Sequence, residues 1–281
     1  MMARRTPFVA RLGADVVGLV VLLICLFPVY WMVSRSFLPR NRIKGESPEV
    51  VPLHGTLDNY RTVFDDGSFA KALVTSLSVT LLTVVVALLF AFLAAVAVSR
   101  FRFRGRWAFI AVLLVIQMIP AEALFISQYK MLDGMGLLNS VIGLTLVYVA
   151  AVLPFTVWTL RSFVEGVPRE LEEAAMIDGC SRPQAFFQVT FPLLAPGLIA
   201  TGVFAFIQAW NEFTLAVVAM TDPEKKTLPV WLVAFTDNRS KGVDWGAIMA
   251  SSTLITIPVI VFFMIVQHRM VTGLTAGAVK G

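Results

Sequence analysis

Residues 74–98 read VTSLSVTLLTVVVALLFAFLAAVAV, from Val74 to Val98 without one charged side chain. A helix needs roughly 20 mostly apolar residues to cross the hydrocarbon core of a bilayer. In helical form such a run also satisfies its own backbone N–H and C=O groups, as hydrocarbon requires. Working outward, uncharged runs of similar length occur at Val16–Val33, Val141–Leu160 and Trp245–Val266. Another extends from Leu193 to Asn211, where Glu212 interrupts before Phe213–Met220. Trp107–Gln128 is apolar except for Glu122, with Pro120 just ahead of it. The expectation is an all-α polytopic membrane protein, one transmembrane domain over residues 1–281. Its six transmembrane helices fall near 14–34, 72–99, 107–128, 140–161, 193–219 and 245–267. Arg4, Arg5 and Arg11 precede the first run as in a signal peptide, but the run is too long for an ordinary h-region. No small-residue cleavage site follows Trp31, so the first helix is expected to be retained.

Composition agrees with this reading. The 281 residues are 58% hydrophobic and 15% charged, against roughly 45–50% and about 25% in soluble domains. Mean hydropathy is +0.80. That shortfall in charge excludes a water-soluble globule, a disordered chain and a nucleic-acid partner, despite a formal net charge of +5. Cys25 lies in an apolar run and Cys180 in a polar loop, so no disulfide framework is encoded. No GxxxxGK[ST] phosphate loop, HExxH or CxxC pattern occurs, and the histidines are His54 and His268. Catalysis in this chain, and ATP binding through such a loop, are not expected.

Orientation follows Lys/Arg bias. The totals on the two sides are nearly even, but Arg100, Arg102, Arg104 and Arg106 crowd one short loop with no acid among them. That concentration places the N- and C-termini in the cytoplasm, with the Arg100–Arg106 cluster as a topology determinant and membrane-lipid headgroup contact. Residues 221–244 then form a charge-balanced outer loop.

Residues 164–192 are more than a connector. Pro168 suits a first helical turn, and Glu170, Glu172 and Glu173 stand near the positive end of the helix dipole. Leu171, Ala174, Ala175 and Asp178 recur at helical spacing on one face. Gly179 is positioned to end the helix in a left-handed turn. Ser181-Arg182-Pro183-Gln184 reads as a capping box for a second short helix that stops near Pro192. From these residues alone the loop either docks against a partner through its small, smooth face or lies on the membrane surface.

Glu173-Ala174-Ala175-Met176-Ile177-Asp178-Gly179, followed by Val189-Thr190-Phe191-Pro192, resembles the EAA motif of binding-protein-dependent ABC importer permeases. Trp210-Asn211-Glu212-Phe213 resembles the fifth-helix motif of carbohydrate-uptake permeases. The ending Gly273-Leu274-Thr275-Ala276-Gly277-Ala278-Val279-Lys280-Gly281 resembles the tail of the second, six-helix subunit of maltose-type transporters. Cys180 stands where that family often has alanine. The resemblance implies a type I ABC importer permease fold that hydrolyses nothing itself. It implies a second permease subunit, two cytoplasmic ATPase subunits that bind ATP and Mg, and an extracytoplasmic solute-binding protein that delivers sugar. Within the coupling loop, Glu173, Ala174, Ala175, Asp178 and Gly179 would meet an ATPase subunit. Glu173 would make the polar contact, Gly179 would set the bend and Asp178 would tether the turn. The tail, residues 268–281, would reach toward the ATPases. No cofactor is implied in this chain, and the location implied is the bacterial cell membrane.

Ionisable and amide groups at membrane depth usually face a cavity or a partner. Gln208, Asn211 and Glu212, at i, i+3 and i+4, would share one face of the fifth helix, and Gln117 and Glu122 flank Pro120 in the third. All five are candidates for the substrate path, the alternative being that they only bond neighbouring helices. Two rival readings remain at this level. One is an importer of glycerol phosphate or a polyamine, although a phosphate would want Arg or Lys inside the apolar runs. The other is a stand-alone secondary transporter or channel, which would want ion-coupling carboxylates repeated in two halves.

Overall fold

The computed structural model describes residues 8–43, 49–65, 67–236 and 243–278, with side chains from 13 to 268. Arg4, Arg5, residues 237–242 of the expected outer loop and residues 279–281 of the tail lie outside the described residues. The described chain forms two compact units, residues 1–67 with 232–258, and residues 68–231 with 259–281.

In the first unit, α1 (Phe8–Ser36) carries an apolar window of which no residue is buried within this chain. Two short helices follow, α2 (Arg40–Ile43) and α3 (Asp58–Phe64). They are pinned by the buried Asn59, whose Nδ2 donates to the Ser36 and Leu38 carbonyls at 2.9 and 2.8 Å. These carbonyls sit at and just past the end of α1, where helical partners are lacking. Gly246 crosses Asn59 so closely that a Cβ there would lie 2.3 Å from Asn59 Oδ1.

The second unit holds the long helices α4 (Ser68–Arg100) and α7 (Val141–Gly166). Between them run α5 (Arg106–Gln117) and α6 (Ala121–Gly134), and after them the short α8 (Glu170–Ile177) and α9 (Arg182–Ala185). Then come α10 (Phe191–Asn211), α11 (Ala216–Ala219) and α12 (Leu228–Leu232). The last helix, α13 (Trp245–Ala278), belongs to the first unit up to Pro258 and to the second from Val259, and continues well beyond the expected sixth span. Ala87, Ala91 and Ala95 recur every fourth residue on α4 and are wholly buried. Their side is packed with Val149, Val152, Val157, Leu160 and Val164 of α7 and with Leu194 and Ala205 of α10. Lipid is as apolar as a leucine side chain, so close packing between small residues replaces the hydrophobic drive available in water. The opposite side of α4, with Val74, Val85, Leu89 and Leu93, is exposed, as a lipid-facing side must be.

The same close approach occurs where α10 crosses α7: a Cβ on Gly197 would meet the Phe163 ring at 2.5 Å. Gly197→Val is therefore expected to destabilise the protein by about 1–3 kcal/mol through overpacking. Thermal melting in detergent checks this. An unchanged transition would mean that the helices part freely at this crossing.

Three sequence expectations change. Among the described residues five helices are long and apolar enough to cross a membrane, and the third expected span is broken into the pair α5 and α6, bent by 98°, which makes a sixth if the pair is one span. The break falls at Pro120, which has no N–H, and whose ring disfavours helical geometry at Ile119. The fifth span does not run to residue 219, because Glu212 is extended at φ −68 and ψ 127 and ends α10. Nor does Pro192 interrupt the chain, since residues Arg182–Asn211 form one continuous helical segment. A π-helical turn at Phe186–Thr190 precedes the proline, and the Phe191 amide bonds back five residues to the Phe186 carbonyl. The widened turn accommodates a ring that would clash with the carbonyl four residues earlier in a tight α-helix.

Candidate functional site

The loop between α7 and α10 is built by local signals. Val167 is extended at φ −87 and ψ 116, which ends α7 just before Pro168. Glu170, Glu172 and Glu173 fill the first turn of α8. At the other end, the Gly179 amide donates to the Met176 carbonyl at 3.1 Å and the Cys180 amide to the Ala175 carbonyl at 3.0 Å. Those two bonds, with Gly179 at φ +96, make a Schellman turn that satisfies the last carbonyls of the helix. No atom lies within 4 Å of the place where a Gly179 Cβ would be. Gln184 Oε1 then accepts from the Ser181 amide at 2.8 Å to start α9.

Glu173, Ala174, Ile177 and Asp178 are exposed on this turn, and Ala175 is half-buried. Ile177 stands 86% exposed at the end of α8. The Asp178 amide donates to the Ala174 carbonyl at 3.0 Å, while its side chain is directed to the surface.

The underside of α8 carries residues that sequence reasoning missed. Glu172 Oε1 pairs with Arg100 Nη2 at 3.2 Å and accepts from Thr190 Oγ1 at 2.7 Å. Arg100 Nη2 also donates to the Val167 carbonyl at 3.1 Å, and Arg169 Nη2 to the Arg100 carbonyl at 3.1 Å. Arg106 pairs with Glu165 at 3.0 Å, and Arg161 joins the same carboxylate at 2.9 Å. Arg100 and Arg106 are thus fastened to the loop between α7 and α10 and to α7 itself, while Arg102 and Arg104 remain exposed. Only the Arg161–Glu165 spacing of four was legible beforehand, as a helix-face pair. The others join residues from 18 to 72 positions apart in the chain, for which one sequence gives no signal. A cleft of about 490 Å³ opens beside them, lined by Arg100, Arg169, Glu172, Glu173 and Arg182.

At the far end of α10 lies a second cavity, of about 330 Å³, whose polar lining is Glu122, Gln128, Tyr148, Gln208, Asn211 and Glu212, with Thr214 beside them. Four of the five expected path residues therefore meet there. Gln117 is exposed at the end of α5 and does not line it. The four are not alike. Glu212 accepts a hydrogen bond from the Tyr148 hydroxyl, and its carboxylate also accepts from the Leu215 amide at 2.8 Å and the Ala216 amide at 3.2 Å. It caps the first amides of α11 as an N-terminal carboxylate does. Gln208 and Asn211 are exposed to the cavity. Asn211 Nδ2 donates to the Ile207 carbonyl at 2.9 Å, which leaves its Oδ1 to accept from a guest. Glu122, in the first turn of α6, is likewise exposed. Trp210 turns inward, stacked on Phe206 with ring centres 5.6 Å apart.

Residues 87–275 match the family described as binding-protein-dependent transport system inner membrane component. The chain is 44% identical to the diacetylchitobiose uptake system permease protein DasC of Streptomyces coelicolor, over 96% of this chain and 98% of that protein. It is 38% identical to the trehalose transport system permease protein SugB of Mycobacterium tuberculosis, over the full length of both. Its fold matches a chain of a bacterial ABC transporter involved in import of the acidic polysaccharide alginate. The TM-score is 0.77 at 23% identity, covering 95% of this chain and 98% of that one.

Proposed function

Because the chain belongs to the family of binding-protein-dependent transport system inner membrane components, a multi-pass membrane permease that is not itself an enzyme, we propose that it carries sugar, as an oligosaccharide or disaccharide, into the cell. It does so with a second permease subunit, two ATPase subunits that bind ATP and Mg, and an extracytoplasmic solute-binding protein. The observation that carries this reading is the bare face of α8: Ala174, Ile177 and Asp178 stand exposed outside the membrane spans on a turn closed by Gly179. A small-residue face with one protruding aliphatic side chain fits a groove on a folded partner. In this reading Glu173, Ala174, Ala175, Asp178 and Gly179 meet an ATPase subunit. Gln208, Asn211 and Glu122 offer amide and carboxylate partners to sugar hydroxyls, a buried hydroxyl being expensive to leave unpaired. Sugar as cargo is supported by relatives named for diacetylchitobiose and trehalose uptake.

The test is purification of the whole complex followed by ATPase assays across a sugar panel with the cognate binding protein. Co-purification of a nucleotide-binding chain, with sugar-dependent stimulation, is the expected result. A chain that transports alone would establish the secondary-transporter reading instead.

Cytoplasmic termini put residues 221–231 outside. Glu224 is exposed there and paired with Lys71. In a background with Cys25 and Cys180 replaced by serine, Glu224→Cys should be labelled by a membrane-impermeant thiol reagent in intact cells, after outer-membrane permeabilisation if there is one. Labelling confined to inverted vesicles would reverse the orientation.

A further inference from the structure

The coupling reading places α8 against an ATPase but leaves open how its movement reaches the membrane helices, and the geometry beneath α8 points to Glu172. We propose that Glu172 is the positioning residue that transmits displacement of α8 to α4 and α10, through Arg100 and Thr190. This rests on α8 being the docking element.

One carboxylate oxygen of Glu172 serves both neighbours, Arg100 Nη2 at 3.2 Å and Thr190 Oγ1 at 2.7 Å. The three side chains come from three elements. Arg100 is the last residue of α4, Glu172 is in the first turn of α8, and Thr190 closes the π-helical turn that leads into α10. The junction is shielded, with Thr190 wholly buried and the Arg100 and Glu172 side chains 12% and 24% exposed. An ion pair shielded from water is screened far less than a surface pair, so it resists separation. Thr190 lies where the backbone pattern departs from an α-helix, and π turns of this kind concentrate at functional positions. Arg169 adds a second tie from the α8 side, to the carbonyls of Ser99 at 3.3 Å and Arg100 at 3.1 Å. A pull on α8 therefore cannot leave the ends of α4 and α10 in place without breaking polar bonds in a shielded site. Glu173, one residue on, is exposed and free to face the ATPase. Adjacent acids on the helix thus divide the work, one toward the partner and one toward the membrane helices.

The test uses the assembled transporter in proteoliposomes with its binding protein, and reads sugar transported per ATP hydrolysed. Glu172→Gln keeps the shape and removes the charge; Thr190→Val keeps the shape and removes the donor. Each should assemble and hydrolyse ATP within about twofold of the parent and melt within a few degrees of it, yet lower the transport-to-hydrolysis ratio by about tenfold. Thr190→Ser, which retains the hydroxyl, should restore the ratio. If Glu172→Gln accumulates poorly, Thr190→Val and Thr190→Ser carry the comparison alone. An unchanged ratio in Thr190→Val overturns the proposal, and so does a loss of assembly or melting temperature that accounts for the whole transport defect. Ala174→Trp, on the exposed face of α8, tests the underlying reading separately. If it assembles with the ATPase and transports as the parent does, α8 is not the docking element and the proposal falls with that reading.

Discussion

Gly179→Val should reduce uptake by more than tenfold while the chain still inserts in the membrane and reaches parental levels. At φ +96 Gly179 occupies backbone space that L-residues seldom enter. An L-residue in left-handed geometry costs roughly 1–2 kcal/mol, more for a β-branched one. Opening the turn to relieve that strain also breaks the amide bonds from Gly179 to Met176 and from Cys180 to Ala175. Since about 1.4 kcal/mol is a tenfold change in population, the orientation of α8 relative to α9 would be lost in most molecules. The space around Gly179 is open, so the effect is conformational and not steric. Gly179→Asn, which enters left-handed geometry more easily, should recover a substantial part of uptake. Uptake assays alongside membrane quantification decide the matter. Parental uptake by Gly179→Val would mean that this turn is a passive connector.

The second large effect separates Glu212 from its neighbours in the cavity at the end of α10. Glu212→Ala leaves the Tyr148 hydroxyl and the Leu215 and Ala216 amides without their acceptor. Each buried polar group deprived of a partner costs about 1–3 kcal/mol, so the variant should lose melting temperature and complex yield as well as transport. Gln208→Ala and Asn211→Ala remove exposed amides whose loss disturbs little packing. They should reduce sugar uptake severalfold with assembly and basal ATP hydrolysis retained. Thermal melting and uptake, measured on the same preparations, distinguish the two classes. If Glu212→Ala melts like the parent while uptake collapses, Glu212 is a sugar ligand and not a cap.

That division between Glu212 and Asn211 was invisible in the sequence. Continued helical periodicity put Gln208, Asn211 and Glu212 on a single stripe, because no glycine or proline between Asn211 and Met220 would end the helix. The helix stops there because the Glu212 carboxylate has better partners as a cap for α11 and an acceptor for Tyr148 than as a side chain on a continuing helix. Those partners come from α7 and from the chain ahead, and periodicity counts neither. Arg100 shows the same limit. As a charge in a loop it reads as a topology signal, and its bond to Glu172 exists only once the chain has folded back through α5, α6 and α7.

By itself the sequence determined the all-helical, membrane-crossing architecture, because an apolar run in hydrocarbon has hardly another way to satisfy its backbone. It also determined the form of the α8 turn, where Pro168, Gly179 and Ser181 act within a few residues of themselves. The family, too, was legible in short motifs of fixed spacing. Only the tertiary structure decided that Pro120 divides the third span into a pair of helices bent by 98° and that the π turn carries the chain past Pro192. The fastening of α8 to α4 and α10 through Glu172 was likewise settled there. Local rules act over one helical turn and can be read along the chain. A proline's consequence and an ion pair's partner depend on what distant elements place within a few ångströms, and that distance is fixed only by packing.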